Sequence, residues 1–119
     1  MKKILIVEDD KFLADIYKTK LEGEGFEVKT AKDGKEALKK LEKYIPDLLL
    51  LDIILPKIDG WEILERIKER EDLKNMKIIV LSNLSEKENI EKAIREGVVE
   101  YLVKAEYSPD EIVEKIKEL

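Results

Sequence analysis

The sequence predicts an α/β fold of three layers, in which a doubly wound parallel sheet of five strands lies between helices. Segments such as Leu48–Leu51 are apolar without polar alternation, which is typical of a strand buried on both faces. Five predicted strands alternate with five predicted helices, and this (βα)5 order favours parallel pairing with right-handed crossovers. With 119 residues the chain has room for one domain, which we place at residues 1–119.

The first half of the chain is predicted to form three strands and two helices. The predicted strands are Lys3–Val7, Phe26–Thr30 and Leu48–Leu51. Period-two alternation in the second strand indicates an edge strand with one solvated side. The first helix begins after Asp10 and stops at Gly23 and Gly25, because glycine commonly ends a helix. A turn is expected at Asp33-Gly34 before the second helix.

The second half is predicted to form two more strands and three helices. The predicted strands are Lys77–Ser82 and Tyr101–Lys104, and apolar residues at helical spacing place helices around 61–67, 90–94 and 112–119. A loop is expected at Asp59-Gly60 before the third helix. Ser85 and Glu88 have the spacing of a capping box for the fourth helix, as Ser108 and Glu111 have for the fifth.

Four of the five predicted strands end in polar side chains or are followed directly by them. They are Glu8-Asp9, Asp52, Ser82 and Lys104. The C-terminal ends of parallel strands share one edge of the sheet, and ligands bind at that edge in open α/β sheets. A carboxylate at the end of a buried strand costs free energy unless it is paired, so we interpret Asp52 as the reactive group. Three carboxylates in one pocket repel one another unless a cation joins them, and oxygen ligands without His or Cys select a hard ion such as Mg²⁺.

The composition excludes several kinds of function. The chain has no cysteine and no histidine, so disulfides and thiolate sites are excluded and phosphohistidine chemistry needs a partner's histidine. The net charge is −5 with Lys and Glu intermixed, which argues against direct nucleic-acid binding. No apolar run approaches the roughly 20 residues of a membrane span, and the N-terminus lacks a signal-peptide pattern. We therefore expect a cytoplasmic protein without a membrane partner.

The motifs at the strand ends occur together over nearly the whole chain. They are Ile4–Asp10, Pro46–Asp52, Leu55-Pro56 with Ile58–Gly60, Ser82, and Tyr101 ahead of Lys104. In this combination the chain resembles the receiver domain of response regulators, the phosphoacceptor module of two-component phosphorelay signalling. The resemblance implies a flavodoxin-like sheet of strand order 2-1-3-4-5. It also implies a phosphoacceptor rather than an enzyme in the usual sense.

The resemblance further implies the chemistry of the site. Asp52 would accept a phosphoryl group from a phosphohistidine on a sensor histidine kinase or a phosphotransfer protein, and would assist its own transfer and hydrolysis. Mg²⁺ would be the cofactor, held by Asp9, Asp52 and the backbone carbonyl of Ile54, with Glu8 acting through water. Because Mg²⁺ and Lys104 would offset the charge on the phosphoryl oxygens, positioning and electrostatics would carry most of the rate.

Four side chains are expected to bind the phosphoryl group or to switch with it: Ser82, Asn83, Lys104 and Tyr101. Ser82 would hydrogen-bond the bound group and Tyr101 would turn inward behind it, so that the output is a shift between two conformations. Asn83 stands where the family usually has a small residue, and would narrow access to the phosphate. Ala105 stands where the family usually has a proline after the lysine, so we expect a trans peptide bond and a rearranged loop.

Two apolar side chains, Ile54 and Leu84, are expected to flank the path of a hydrolytic water. They would slow loss of the phosphoryl group by excluding or misplacing that water.

Contact surfaces are expected on two sides. The first helix, near Phe12 and Tyr17, would face the kinase, and the surface around Val99 and Tyr101 would face a downstream target protein or a second copy of the chain. The last capped helix ends at Leu119, which favours a stand-alone, chemotaxis-type receiver. A domain excised from a longer protein is the alternative.

Three other functions are weighed against this interpretation. An aspartyl-phosphate phosphohydrolase could use Asp52 as its nucleophile, but such enzymes usually carry a second Asp two residues further on, where this chain has Ile54. A phosphorylation-independent pseudo-receiver interaction module is opposed by the intact acidic set. A flavin-binding module of similar topology is not supported, because this sequence shows no distinctive phosphate-cradling loop.

Overall fold

The computed structural model describes residues 2–119 and contains a five-stranded parallel sheet with helices on both faces. The strand order is β2-β1-β3-β4-β5, as predicted. The strands are β1 (Lys3–Val7), β2 (Glu27–Ala31), β3 (Leu48–Leu51), β4 (Lys77–Ser82) and β5 (Glu100–Val103). The helices are α1 (Lys11–Gly23), α2 (Gly34–Leu41), α3 (Gly60–Lys68), α4 (Lys87–Arg95) and α5 (Pro109–Lys117), and short 3₁₀ turns occupy Glu71–Leu73 and Lys104–Glu106.

The uninterrupted leucines of β3 are explained by two cores, one on each face of the sheet. Leu49 and Leu51 belong to the core beneath α2, α3 and α4. Leu48 and Leu50 belong to the core beneath α1 and α5. Since successive side chains of a strand point to opposite faces, a strand covered on both sides has no polar position. The central position of β3 also places the residue after it, Asp52, in the middle of the sheet edge.

Three helices begin at an aspartate that accepts a backbone hydrogen bond from the first turn. Asp10 accepts one from Leu13 at 3.2 Å, as its predicted position at the start of α1 implied. Asp33 and Asp59 cap α2 and α3 in the same way, so the turn and loop predicted there are the helix starts themselves. Aspartate before a helix satisfies an N–H group that the helix leaves unpaired.

The capping box predicted for α4 is wrong. The helix begins at Lys87, with Glu86 at its N-cap and no side-chain capping bond. The loop that precedes α4 makes other hydrogen bonds. The Leu84 N–H donates to Ser82 Oγ at 3.3 Å, and the Leu84 carbonyl accepts from the Tyr101 hydroxyl at 2.6 Å. Residues 83–85 lie in this loop, and α4 begins after Glu86.

The capping box predicted for α5 is confirmed. Ser108 Oγ accepts from the Glu111 N–H at 3.2 Å, and Glu111 Oε1 accepts from the Ser108 N–H at 2.8 Å. Pro109 occupies the first helical position, where its missing N–H costs nothing.

The end of β5 differs in one residue from the prediction. The strand stops at Val103, and Lys104 opens the 3₁₀ turn that follows. The Lys104–Ala105 peptide bond is trans, as predicted, and no cis peptide bond occurs within residues 2–119. Over the same residues, none of the helices combines the length and the apolar character that a membrane crossing requires.

Candidate functional site

Three carboxylates converge at the C-terminal edge of the sheet. Glu8 and Asp9 follow β1 and Asp52 follows β3, and the register that pairs Val7 with Leu51 sets positions 8 and 52 side by side. One oxygen from each of the three carboxylates lies within 4.8 Å of the others. Glu8 and Asp52 are 3% and 6% exposed, while Asp9 is open to solvent. Carboxylates that are buried this close together repel one another, so they need a neighbouring positive charge to stay ionised.

Lys104 supplies part of that charge. Its Nζ lies 2.6 Å from Glu8 Oε1 and 2.8 Å from Asp52 Oδ2, so one ammonium group bridges both buried carboxylates. Burial by itself would lower the pKa of Lys104, but the hydrogen bonds to Asp52 and Glu8 outweigh it and raise that pKa above its ordinary value. Lys104 is therefore charged at neutral pH.

Each buried carboxylate is also fixed by a backbone N–H. Glu8 Oε2 accepts from Asp10 N at 3.0 Å, and Asp52 Oδ1 accepts from Ile54 N at 3.1 Å. One oxygen of each group thus faces the backbone and the other faces Lys104. The pKa of Glu8 is nevertheless raised, chiefly because burial disfavours its charged form. The site has more negative charge than Lys104 alone can balance.

Three of the residues predicted to bind the phosphoryl group or to switch with it make hydrogen bonds beside this cluster. Ser82 is fully buried at the end of β4, and its Oγ accepts from the Leu84 N–H. The partly buried Tyr101 packs against the core and donates its hydroxyl to the Leu84 carbonyl. Burial raises the pKa of Tyr101, so its hydroxyl keeps its proton at neutral pH. Asn83 is exposed, and its Oδ1 accepts from the Ala105 N–H at 3.1 Å.

Sequence reasoning missed this last bond, although a signal for it was present. Ala105 replaces the proline usual after the lysine, and alanine has a backbone N–H that proline lacks. The additional donor needs an acceptor, and Asn83 is the residue that provides it.

The predicted contact residues fall into two groups. Phe12 is 75% exposed and Val99 is half exposed, so both are available to a partner. Tyr17, which was predicted to face the kinase, is only 2% exposed, and that prediction is wrong. Tyr17 shares one face of α1 with Leu21, and this face packs onto the sheet, which removes the ring from the surface.

The donor set suits a hard divalent cation. Among residues 2–119, Glu8, Asp9 and Asp52 form the one group of acidic side chains close enough to share an ion. All of their donors are oxygens, and the backbone of Ile54 lies beside Asp52, whose Oδ1 accepts the Ile54 N–H. Oxygen donors of this kind bind Mg²⁺ with several waters retained.

Comparison with known proteins agrees with this geometry. The family model described as the response regulator receiver domain matches residues 4–117. The chain belongs to the response regulator receiver domain family. Its role is therefore that of a phosphoacceptor in two-component signalling, and the family is not a classical enzyme family.

Curated relatives of this receiver domain include two transcriptional regulators. The chain is 36% identical over 115 residues to the phosphate regulon transcriptional regulatory protein PhoB of Rhizobium meliloti, covering 97% of this chain and 50% of that protein. It is 35% identical over 116 residues to the alkaline phosphatase synthesis transcriptional regulatory protein PhoP of Bacillus subtilis, covering 98% and 47%. The chain thus spans about half the length of these relatives.

Solved receiver structures are similar over almost the whole chain. A CheY-like response regulator receiver domain protein from Methanospirillum hungatei JF-1 has a TM-score of 0.88 and 39% identity, covering 99% of this chain and 92% of that one. The receiver domain of the Francisella response regulator 1452 has a TM-score of 0.89 and 32% identity, covering 99% and 95%.

Proposed function

We propose that Asp52 of this receiver domain accepts the phosphoryl group, from a phosphohistidine of a sensor histidine kinase or a phosphotransfer protein. The observation that carries the proposal is the bridge from Lys104 to Glu8 and Asp52 at the centre of the sheet edge. It marks Asp52 as a buried, oriented carboxylate with an ammonium group already beside it. Of the three carboxylates, only Asp52 follows the central strand.

The transfer forms one bond and breaks one. An Asp52 oxygen attacks the phosphorus while the bond from phosphorus to the donor nitrogen breaks, and the leaving imidazole keeps the electron pair and takes up a proton. The Ile54 N–H fixes the carboxylate during the attack. Lys104 offsets charge on the phosphoryl oxygens, and the Ser82 hydroxyl donates to one of them once it rotates.

Asp9, Asp52 and the carbonyl of Ile54 would hold Mg²⁺, with Glu8 acting through water. When bound, Mg²⁺ supplies positive charge beside the transferring phosphoryl oxygens. The carboxylate convergence within 4.8 Å and the shortage of positive charge support this assignment. The same aspartyl phosphate would be hydrolysed with the receiver's own assistance.

The output is a change in the hydrogen bonds around Leu84. When Ser82 turns toward the phosphoryl group, the loop it holds is freed to move, and Tyr101 follows because its hydroxyl is bonded to Leu84. The surface near Val99 and Tyr101 then binds a target protein or a second copy, while Phe12 contacts the kinase. We place this activity in the cytoplasm, within one receiver domain spanning residues 1–119.

Intact-mass spectrometry after incubation with Mg²⁺ and acetyl phosphate tests the proposal. The native chain is expected to gain one phosphoryl mass, and Asp52→Asn is expected to gain none. Asp47→Asn is the matched control, because Asp47 is exposed at the opposite edge of the sheet, where it accepts from Lys3 N at 2.8 Å. No gain from acetyl phosphate or from a phosphorylated histidine kinase would refute the proposal and favour a phosphorylation-independent interaction module.

A further inference from the structure

The turn that carries Lys104 is weakly held by its own backbone. In the 3₁₀ turn Lys104–Glu106, the closing hydrogen bond from Tyr107 N to the Lys104 carbonyl is 3.5 Å long. The residue before the turn, Val103, provides no side-chain cap. A bond of this length is at the limit of a useful interaction, so the turn needs support from elsewhere.

Asn83 provides that support. Its Oδ1 accepts the Ala105 N–H at 3.1 Å, which joins the β4–α4 loop to the residue directly after Lys104. The two positions are far apart in sequence but adjacent in the sheet, because Ser82 pairs with Val103 across β4 and β5. The bond therefore fixes the backbone from which the Lys104 side chain extends.

The same loop is tied to β5 at a second point. The Tyr101 hydroxyl donates to the Leu84 carbonyl at 2.6 Å, one residue beyond Asn83. The two bonds lie on either side of the strand end that leads to Lys104. Of the two, the Asn83 bond is the nearer to Lys104 along the chain.

We propose that Asn83 is a positioning residue for phosphoryl transfer, which acts by holding the Ala105 turn so that Lys104 reaches both Glu8 and Asp52. This inference rests on the proposed function of Asp52. Lys104 makes two contacts shorter than 3 Å from one long side chain, and a displaced turn would lengthen at least one of them. Misplacing a charged group that faces a transferring phosphoryl group slows the reaction even when the fold is intact.

The test compares Asn83→Ala with Asn89→Ala. Asn89 is a matched control, since its side chain also makes one hydrogen bond, donating to Glu86 Oε1 at 3.0 Å in the first turn of α4. Amide hydrogen exchange at Ala105 reports the bond itself, and the initial rate of phosphorylation by acetyl phosphate reports the position of Lys104. Melting temperature checks that both variants remain folded.

In Asn83→Ala, Ala105 exchange is expected to be about tenfold faster and phosphorylation about fivefold slower, factors typical of one lost hydrogen bond. Asn89→Ala is expected to match the native chain in both. Asn83→Asp keeps the acceptor oxygen and is expected to retain slow exchange at Ala105. In a Lys104→Gln background, Asn83→Ala is expected to cause no further loss of rate, because its effect passes through Lys104.

Two results would overturn the inference: a phosphorylation rate in Asn83→Ala that is unchanged or faster, since a faster rate would mean that Asn83 only narrows access to the site, or full additivity with Lys104→Gln. A native chain that is never phosphorylated would instead refute the proposed function of Asp52. In that case amide exchange at Ala105 still tests whether Asn83 holds the turn. An exchange rate in Asn83→Ala equal to that of the native chain would show that it does not.

Discussion

Removing Lys104 tests whether its ion pairs differ from those on the surface. The change is Lys104→Met, which keeps most of the side-chain volume and deletes the charge. It leaves Glu8 and Asp52 as neighbouring buried carboxylates without a cation. Breaking a buried pair from one side costs about 3–5 kcal/mol. Lys104 is 13% exposed, which allows some hydration, so we expect a loss near the lower limit, about 3 kcal/mol.

The control is Lys20→Met. Lys20 pairs with Asp110 at 2.8 Å, the distance that separates Lys104 from Asp52, but the Lys20 and Asp110 side chains are 39% and 82% exposed. An exposed pair contributes less than about 1 kcal/mol. The two variants differ in the burial of the carboxylates and in their number, since Lys104 bridges two and Lys20 pairs with Asp110, and urea unfolding at pH 7 is expected to separate them by about 2 kcal/mol.

The loss of stability in Lys104→Met is expected to depend on pH and on Mg²⁺. The pKa of Lys104 is raised, so its contribution is fully present below its ordinary pKa of 10.5 and is lost as the pH rises through the folded-state value. Lowering the pH favours the protonated form of the unpaired Glu8, whose pKa burial already raises, so the deficit is expected to be smaller at pH 5 than at pH 7. Mg²⁺ is expected to restore part of it by binding the carboxylates.

Equal destabilisation by Lys104→Met and Lys20→Met would refute this reasoning. So would a deficit that grows between pH 7 and pH 5. Either result would mean that water, rather than Lys104, balances the charge of the cluster.

Three further predictions concern Gly60, the pair Ile54 and Leu84, and Asp33. Gly60→Ala is expected to cost about 2 kcal/mol, because a Cβ would lie 2.6 Å from the Ile53 Cα; an unchanged melting temperature would contradict it. Replacing Ile54 and Leu84 together by Asn and Gln is expected to shorten the acyl-phosphate lifetime measured by intact mass, and an equal lifetime would exclude a role in shielding water. The pKa of Asp33 is lowered chiefly by the N–H bond that its carboxylate accepts in the first turn of α2. The ionised Asp33 therefore stabilises the fold above its ordinary pKa of 3.8, and this contribution is lost as the pH falls through the lower folded-state pKa. The gap in urea midpoint between native chain and Asp33→Ala is therefore expected to close below pH 3.8, and a gap that persists there would contradict it.

Helix starts show where local sequence was sufficient and where it was not. The capping box at Ser108 was predictable, because both of its bonds lie within four residues of the chain. The capping box at Ser85 had the same spacing but did not form, and the neighbouring Leu84 is bonded to Ser82 and to Tyr101 instead. A spacing rule describes what a segment prefers, and a long-range contact can override it.

Tyr17 is a second case in which local sequence was not sufficient. The predicted helix was correct, but sequence alone did not decide whether Tyr17 faces solvent or the sheet. The sheet decides, because α1 lies across the face that carries Leu50, and Tyr17 fills the space between them.

The sequence by itself determined the order of strands and helices, the two-sided burial of β3 and the set of polar residues at one sheet edge, because each follows from periodicity and from the parallel direction of the strands. Only the tertiary structure decided which of those residues touch. The bridge from Lys104 to Glu8 and Asp52, and the bond from Asn83 to Ala105, join residues 96, 52 and 22 positions apart. Contacts at such separations depend on how the strand ends are aligned in space, which no local pattern specifies.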